Sequence, residues 1–189
     1  MKIGVLALQG NYVMHRKILD NIDVESIYIR YPIELTKVDG LIIPGGESTT
    51  FLRLFNEFNL SAGIKDYAKN HPIMATCAGL IILSREANDL PFKPLGLLDV
   101  AVQRNAYGRQ RESFVDTISL SLNGTTQNFQ GVFIRAPKIV DIGSDVNTLA
   151  YHKKDPVMVA STNILAATFH PELTDDTEVH NYFVKNFIH

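Results

Sequence analysis

Short apolar runs alternate with segments of helical spacing through the first half of the chain. Residues 3–8 are apolar throughout, the pattern of a strand buried on both faces. Asn11 is placed to cap a helix to about Asn21, in which Val13, Met14, Ile18, Leu19 and Ile22 recur at helical spacing. Residues 24–29 and 38–43 predict two further strands, the second stopping at Pro44-Gly45-Gly46. A helix opening at Ser48 or Thr49 runs through Phe55, and another covers 61–69. Residues 72–76 form a fourth strand, and Cys77 or Ala78 begins a helix to about Ser84. This alternation predicts a mostly parallel sheet with helices on both faces, a three-layer α/β architecture. Ligands of such sheets bind beyond the carboxyl ends of the strands.

The second half is richer in strands. Residues 100–103, 114–122, 131–134, 139–142, 157–161 and 165–169 read as extended, with turns at Asn123-Gly124 and Asp155-Pro156. They predict additional antiparallel strands. A last helix over 175–187 packs through Val179, Tyr182, Phe183 and Phe187. With no repeat, linker or low-complexity segment, residues 1–189 read as a single domain.

Composition narrows the function classes. Of 189 residues, 46% are hydrophobic, enough for a substantial core. The 18 Lys and Arg nearly balance 20 Asp and Glu, which argues against a general binder of nucleic acid or anionic membrane. One cysteine allows neither an internal disulfide nor a cysteine-based zinc site. No apolar stretch approaches the ~20 residues of a transmembrane helix. The amino terminus reads as a strand and not as a leader, so the sequons at Asn59 and Asn123 are set aside, and a soluble cytoplasmic protein is expected.

Cys77 lies between an apolar strand and Ala78-Gly79, the setting of a nucleophile elbow, although Ala75 stands where the usual elbow pattern has glycine. A lone free cysteine also fits a small buried hydrophobe. His170 ends an apolar strand, and Glu172 two positions on would share its side in an extended segment. A cysteine–histidine pair needs such a third group to orient the imidazole. The other histidines, His15, His71, His152, His180 and His189, show no chemical context. Two ligands at 170 and 172 do not make a metal site. The turn Pro44-Gly45-Gly46-Glu47-Ser48-Thr49 lacks the lysine of a phosphate-binding loop. It suits an oxyanion hole instead, with the Gly46 and Ala78 N–H groups as donors.

Together these segments resemble class I glutamine amidotransferases: the 44–49 turn, Thr76-Cys77-Ala78-Gly79-Leu80, and Phe169-His170-Pro171-Glu172-Leu173. Residues 4–10, 103–110 with Ser113-Phe114, and 131–137 narrow the likeness to the glutaminase subunits of pyridoxal 5'-phosphate synthase. The resemblance spans nearly the whole chain. It implies a class I amidotransferase-like fold and a triad of Cys77, His170 and Glu172. It implies glutamine contacts at Gly46, Glu47, Ser48, Arg104, Ile134 and Arg135, while Arg109 and Arg111 read as surface charge. It also implies hydrolysis of L-glutamine to L-glutamate and ammonia without a metal or organic cofactor. The ammonia would pass to a synthase subunit, a hetero-oligomeric partner on which activity depends, with Gln9 and Gly10 at the interface. The chain departs from the family pattern at Ala75 and across 11–15. Other readings are an amidotransferase of another pathway, a γ-glutamyl hydrolase, a silent binding domain on the same fold, or a DJ-1-like cysteine hydrolase or chaperone.

Overall fold

The computed structural model describes residues 1–91, 93–104, 106 and 113–188. In chain order its first strands are β1 (Lys2–Leu6), β2 (Glu25–Ile29), β3 (Gly40–Ile43) and β4 (Ile73–Thr76). Then come β5 (Ser84–Ala87), β6 (Leu98–Gln103), β7 (Ser113–Leu122) and β8 (Thr125–Ile134). The last are β9 (Lys138–Ile142), β10 (Asn147–His152), β11 (Asp155–Ala160) and β12 (Ile164–Ala167). The main sheet runs β2-β1-β3-β4-β12-β11-β10-β7-β8. Its first five strands are parallel, and from β12 onward each neighbour is antiparallel. A smaller sheet, β5-β6-β9, stands apart.

The inner parallel strands β1, β3, β4 and β12 are buried on both faces, which is why they read as apolar runs, whereas the edge strand β2 is partly exposed. Leu41, Ile43, Ile73 and Ala75 face one core, packed with helices α2 (Ser48–Glu57), α3 (Leu60–Tyr67) and α4 (Ala78–Leu83). Ile42 and Met74, one residue out of phase, face the other. There the helices are α1 (Tyr12–Asn21) and α5 (Glu178–Phe187), through Leu19, Val179 and Phe183. Helices thus cover both faces of a mixed sheet.

Differences from the expected elements have local causes. The helix expected to reach about Ser84 ends at Leu83, and residues 84–87, for which no strand was expected, form β5, whose Ser-Arg-Glu-Ala sequence carries no alternation. Pairing with β6 and the Arg85 ion pairs to Asp99 and Asp141 hold it. β10 was not expected either, and it is recruited by β11 and β7 on its two edges. β8 begins at Thr125 rather than Gly131 because the Asn123-Gly124 turn, with φ of +50° and +78°, extends the hairpin through exposed polar residues. The last helix starts at Glu178, three residues later than expected. No helix among the described residues is long and apolar enough to cross a membrane.

Candidate active site

Strands β1, β3, β4 and β12 run in one direction, so the segments leaving their carboxyl ends share one edge of the sheet. Those segments contain Gln9 to Asn11, the 44–47 turn, Cys77, and His170 to Glu172. Their side chains and backbones surround a cavity of about 470 Å³.

Cys77 occupies the bend between β4 and α4 with φ of +48° and ψ of −105°. Its N–H donates to the Ala167 carbonyl of β12 at 2.8 Å, which fixes the bend against the neighbouring strand. Gly79 allows α4 to begin so close to the sheet, since a Cβ there would run into the Ile43 carbonyl. The Cys77 thiol is buried and lies 3.7 Å from the Ile134 carbonyl.

His170 reaches the same cavity from the far side. Its Nδ1 lies 2.6 Å from Oε1 of Glu172, and both side chains are buried. The extended geometry expected for this pair is not what forms. His170 caps a single 3-10 turn, Pro171–Leu173, and Glu172 folds back from within it. Burial opposes charge on both groups. On His170 the hydrogen bonds to Cys77 and Glu172 and the Glu172 charge outweigh that cost and hold the imidazole above its ordinary range. On Glu172 the imidazoles of His15 and His170 outweigh it and hold the carboxyl below its ordinary range.

Of the expected glutamine contacts, Gly46, Glu47, Ser48, Arg104, Ile134 and Arg135 all line the cavity with Cys77 and His170. Gly10, Asn11 and Ile81 line it too. The helix expected to open at Ser48 or Thr49 opens at Ser48 and is capped by Glu47. Its carboxylate accepts from the Thr49 and Thr50 N–H groups at 2.9 and 2.7 Å and from the Thr50 hydroxyl at 2.7 Å. Burial of that carboxylate is outweighed by these hydrogen bonds, and its pKa falls to about 2. Arg104 is anchored by the Asp89 carbonyl, with Thr49 Oγ1 at 3.4 Å and Glu47 Oε1 at 3.7 Å. Arg135 is exposed at the cavity rim with φ of +44°. Asn105 and residues 107–112, including Arg109 and Arg111, lie outside the described residues.

Ala78 is buried behind the elbow, and Gln9 sits behind the 46–47 turn. The Gln9 amide donates to the Glu47 carbonyl at 2.6 Å, and its oxygen faces the Glu47 N–H at 3.4 Å. Gly10, at φ of +78°, presses on Gly45, where a Cβ would overlap the carbonyl. The Gly45 N–H donates to Thr76 Oγ1 at 3.0 Å.

Two histidines without context in the sequence join this site. His15 of α1 and His180 of α5 are fully buried, with His15 Nδ1 2.9 Å from His180 Nε2. His15 Nε2 faces Thr76 Oγ1 at 3.3 Å and Glu172 Oε2 at 3.5 Å. The one signal that would have found them is a histidine at a buried helical position. Among the described residues no cluster of His, Cys, Asp and Glu is arranged to hold a metal ion.

Residues 5–189 match the SNO glutamine amidotransferase family. The chain is 48% identical over 186 residues to the pyridoxal 5'-phosphate synthase subunit PdxT of Thermotoga neapolitana, covering 98% of each. It is 46% identical over 185 residues to subunit PdxT of Thermosipho africanus, covering 97% of each. A crystal structure of a glutamine amidotransferase, 39% identical, superposes with a TM-score of 0.90 over 97% of both chains. PurLQS from Thermotoga maritima, 17% identical over 97% of both chains, shares the fold with a TM-score of 0.74. The expected amidotransferase-like α/β architecture is the one observed.

Proposed function

The chain belongs to the SNO glutamine amidotransferase family, and from that membership we propose that it is the glutaminase subunit of a pyridoxal 5'-phosphate synthase. It hydrolyses L-glutamine to L-glutamate and ammonia, with residues 1–189 acting as one glutaminase domain, and delivers the ammonia to a synthase subunit. The observation that carries this reading is the Glu172–His170 contact of 2.6 Å at a cavity that also holds the Cys77 elbow and the 45–48 turn.

In this reading Cys77 Sγ attacks the side-chain amide carbon of glutamine as the thiolate, with His170 holding the proton. The N–H groups of Gly46 and Ala78 receive the charge that develops on the carbonyl oxygen. His170, oriented by Glu172, gives its proton to the departing nitrogen, so the C–N bond breaks and ammonia leaves. A γ-glutamyl thioester remains on Cys77. Water then attacks it as His170 takes a proton, the C–S bond breaks, and glutamate is released. Arg104 and Arg135 supply positive charge for the α-carboxylate. Backbone groups of Gly46, Glu47, Ser48 and Ile134 hold the rest, since the Glu47 carboxylate is committed to capping α2. A reactive free thiol suits a reducing compartment, and the proposal places the protein in the cytoplasm.

Ammonia released into neutral water becomes ammonium, which is no nucleophile, so direct transfer to a synthase subunit is the productive route. Gln9 and Gly10 form part of the proposed interface. Their contacts to Glu47 and Gly45 give a docked partner mechanical access to the oxyanion turn.

The test is glutamate release from glutamine by the native protein and by Cys77→Ser, each with and without a pyridoxal 5'-phosphate synthase partner. Release that rises with the partner and vanishes in the variant is expected. Cys77-dependent release without a partner effect would point to a free-standing hydrolase. No release from correctly folded native protein with a competent partner would point to a silent binding domain.

A further inference from the structure

The proposed mechanism uses one oxygen of Glu172 and leaves the other unexplained. Oε1 is on His170. Oε2 is fully buried and makes no hydrogen bond within ordinary length, and the imidazole facing it is His15, with Nε2 at 3.5 Å. A carboxylate oxygen only accepts, so the contact is favourable when the nitrogen facing it carries the proton. Burial holds His15 below the ordinary imidazole range, although the Glu172 charge works the other way. A neutral His15 protonated on Nε2 presents a lone pair at Nδ1, and the His180 Nε2 at 2.9 Å must then be the donor. That leaves His180 Nδ1 as a bare lone pair, and it is the atom of this cluster that also lacks a partner. One assignment of protons therefore gives both the His180–His15 and the His15–Glu172 contact a donor and an acceptor, and leaves the unpartnered atom a lone pair. It also sets the direction of each contact: His180 to His15, and His15 to Glu172.

We propose that His15, held by His180, is a positioning residue of the glutaminase site: its Nε2–H fixes Oε2 of Glu172 so that Oε1 stays on His170 Nδ1. The inference rests on the glutaminase reading for its effect on rate, but not for its proton assignment. α1 packs directly on the Pro171–Leu173 turn that carries Glu172, so the buttress is built into the fold. The same His15 nitrogen faces Thr76 Oγ1, which accepts from Gly45 N–H. The row therefore touches both the triad carboxylate and the turn proposed as the oxyanion hole.

Two measurements test it. The first is nuclear magnetic resonance of the full native chain with isotope-labelled histidine, reading each imidazole's tautomer near neutral pH. His15 and His180 are expected neutral and protonated on Nε2. A His15 protonated on Nδ1, with its lone pair toward Glu172, overturns the assignment whatever the protein's activity. The second is glutaminase kinetics in the synthase complex. His15→Leu is expected to lower kcat about 10- to 100-fold with KM for glutamine within about twofold, the scale of one hydrogen bond to a charged group. His15→Gln, whose amide nitrogen takes the place of Nε2, should recover most of that loss, whereas His15→Asn, which reaches only the Nδ1 position, should not. Equal activity in the Gln and Asn variants, or no loss in Leu, overturns the positioning role. If native protein releases no glutamate, the functional reading falls while the tautomer measurement still decides this one.

Discussion

At Cys77 a non-glycine residue is held at positive φ, a conformation that costs on the order of 1–3 kcal/mol. Its neighbours maintain that bend, and they respond differently to substitution. Gly79→Ala would drive a methyl group into the Ile43 carbonyl, a backbone atom that cannot swing aside. A loss of about 2–3 kcal/mol is expected, read as a lower urea midpoint at unchanged slope. Ala75, by contrast, is fully buried in β4 and faces the core beneath α4. Restoring the glycine usual in the family removes a buried methyl and frees the unfolded chain. Ala75→Gly should therefore cost about 1 kcal/mol and leave glutamate release within about twofold. A several-fold gain in activity would show that the alanine distorts the elbow. Cys77 and His170 were legible because each closes an apolar strand beside a Gly or Pro signature. His15 and His180 were not, because they meet across 165 positions and become a pair only when α1 and α5 pack over the end of β4.

At the level of elements, the inner parallel strands were readable because burial on both faces writes itself as a continuous apolar run. Elements held by their neighbours were not: β5 and the outer half of β8 are polar or exposed and exist because an adjacent strand offers its edge. The start of α2 was legible to within a residue, but its cap was not. Glutamate is not a favoured capping type, and Glu47 acts as one by folding back onto Thr49 and Thr50. Glu47→Ala should destabilise the protein by about 1 kcal/mol, and no more, because the carboxylate is 42% exposed and solvent screens it. Its folded-state pKa lies below the unfolded value of 4.5, so the cap contributes fully above about pH 4.5 and is lost as the pH falls toward about 2. The gap in melting temperature between native protein and Glu47→Ala should therefore narrow through that window. A gap that stays constant would mean the carboxylate is not the cap.

Across the whole molecule, the buried row from His180 to His170 places opposed titrations in one core, and their signs shape stability against pH. His180 is forced down to about 3, first by burial and then by His15. His15 is also held down, first by burial. The unfolded chain takes up protons at these positions below about pH 6.5 while the folded one resists, so stability falls as the pH drops from there. Glu172 adds to the loss only below about pH 4.5, where its unfolded form protonates first. His170 works in reverse. Its folded pKa is raised to about 10, so its contribution is complete below about 6.5 and is lost as the pH climbs through about 10. Stability should therefore peak near pH 6.5, with each limb assigned to different residues. Each group moves at most one proton, so its share of a limb is at most about 1.4 kcal/mol per pH unit. His180→Leu should flatten the limb between about pH 4.5 and 6.5 and leave the alkaline limb alone, while His170→Asn should do the opposite. Urea unfolding of the native chain and both variants across pH reads this directly. An acid limb unchanged by His180→Leu would mean that the buried imidazoles are charged in the folded protein, and the row would then be a chain of cations around Glu172 rather than the neutral buttress inferred for it.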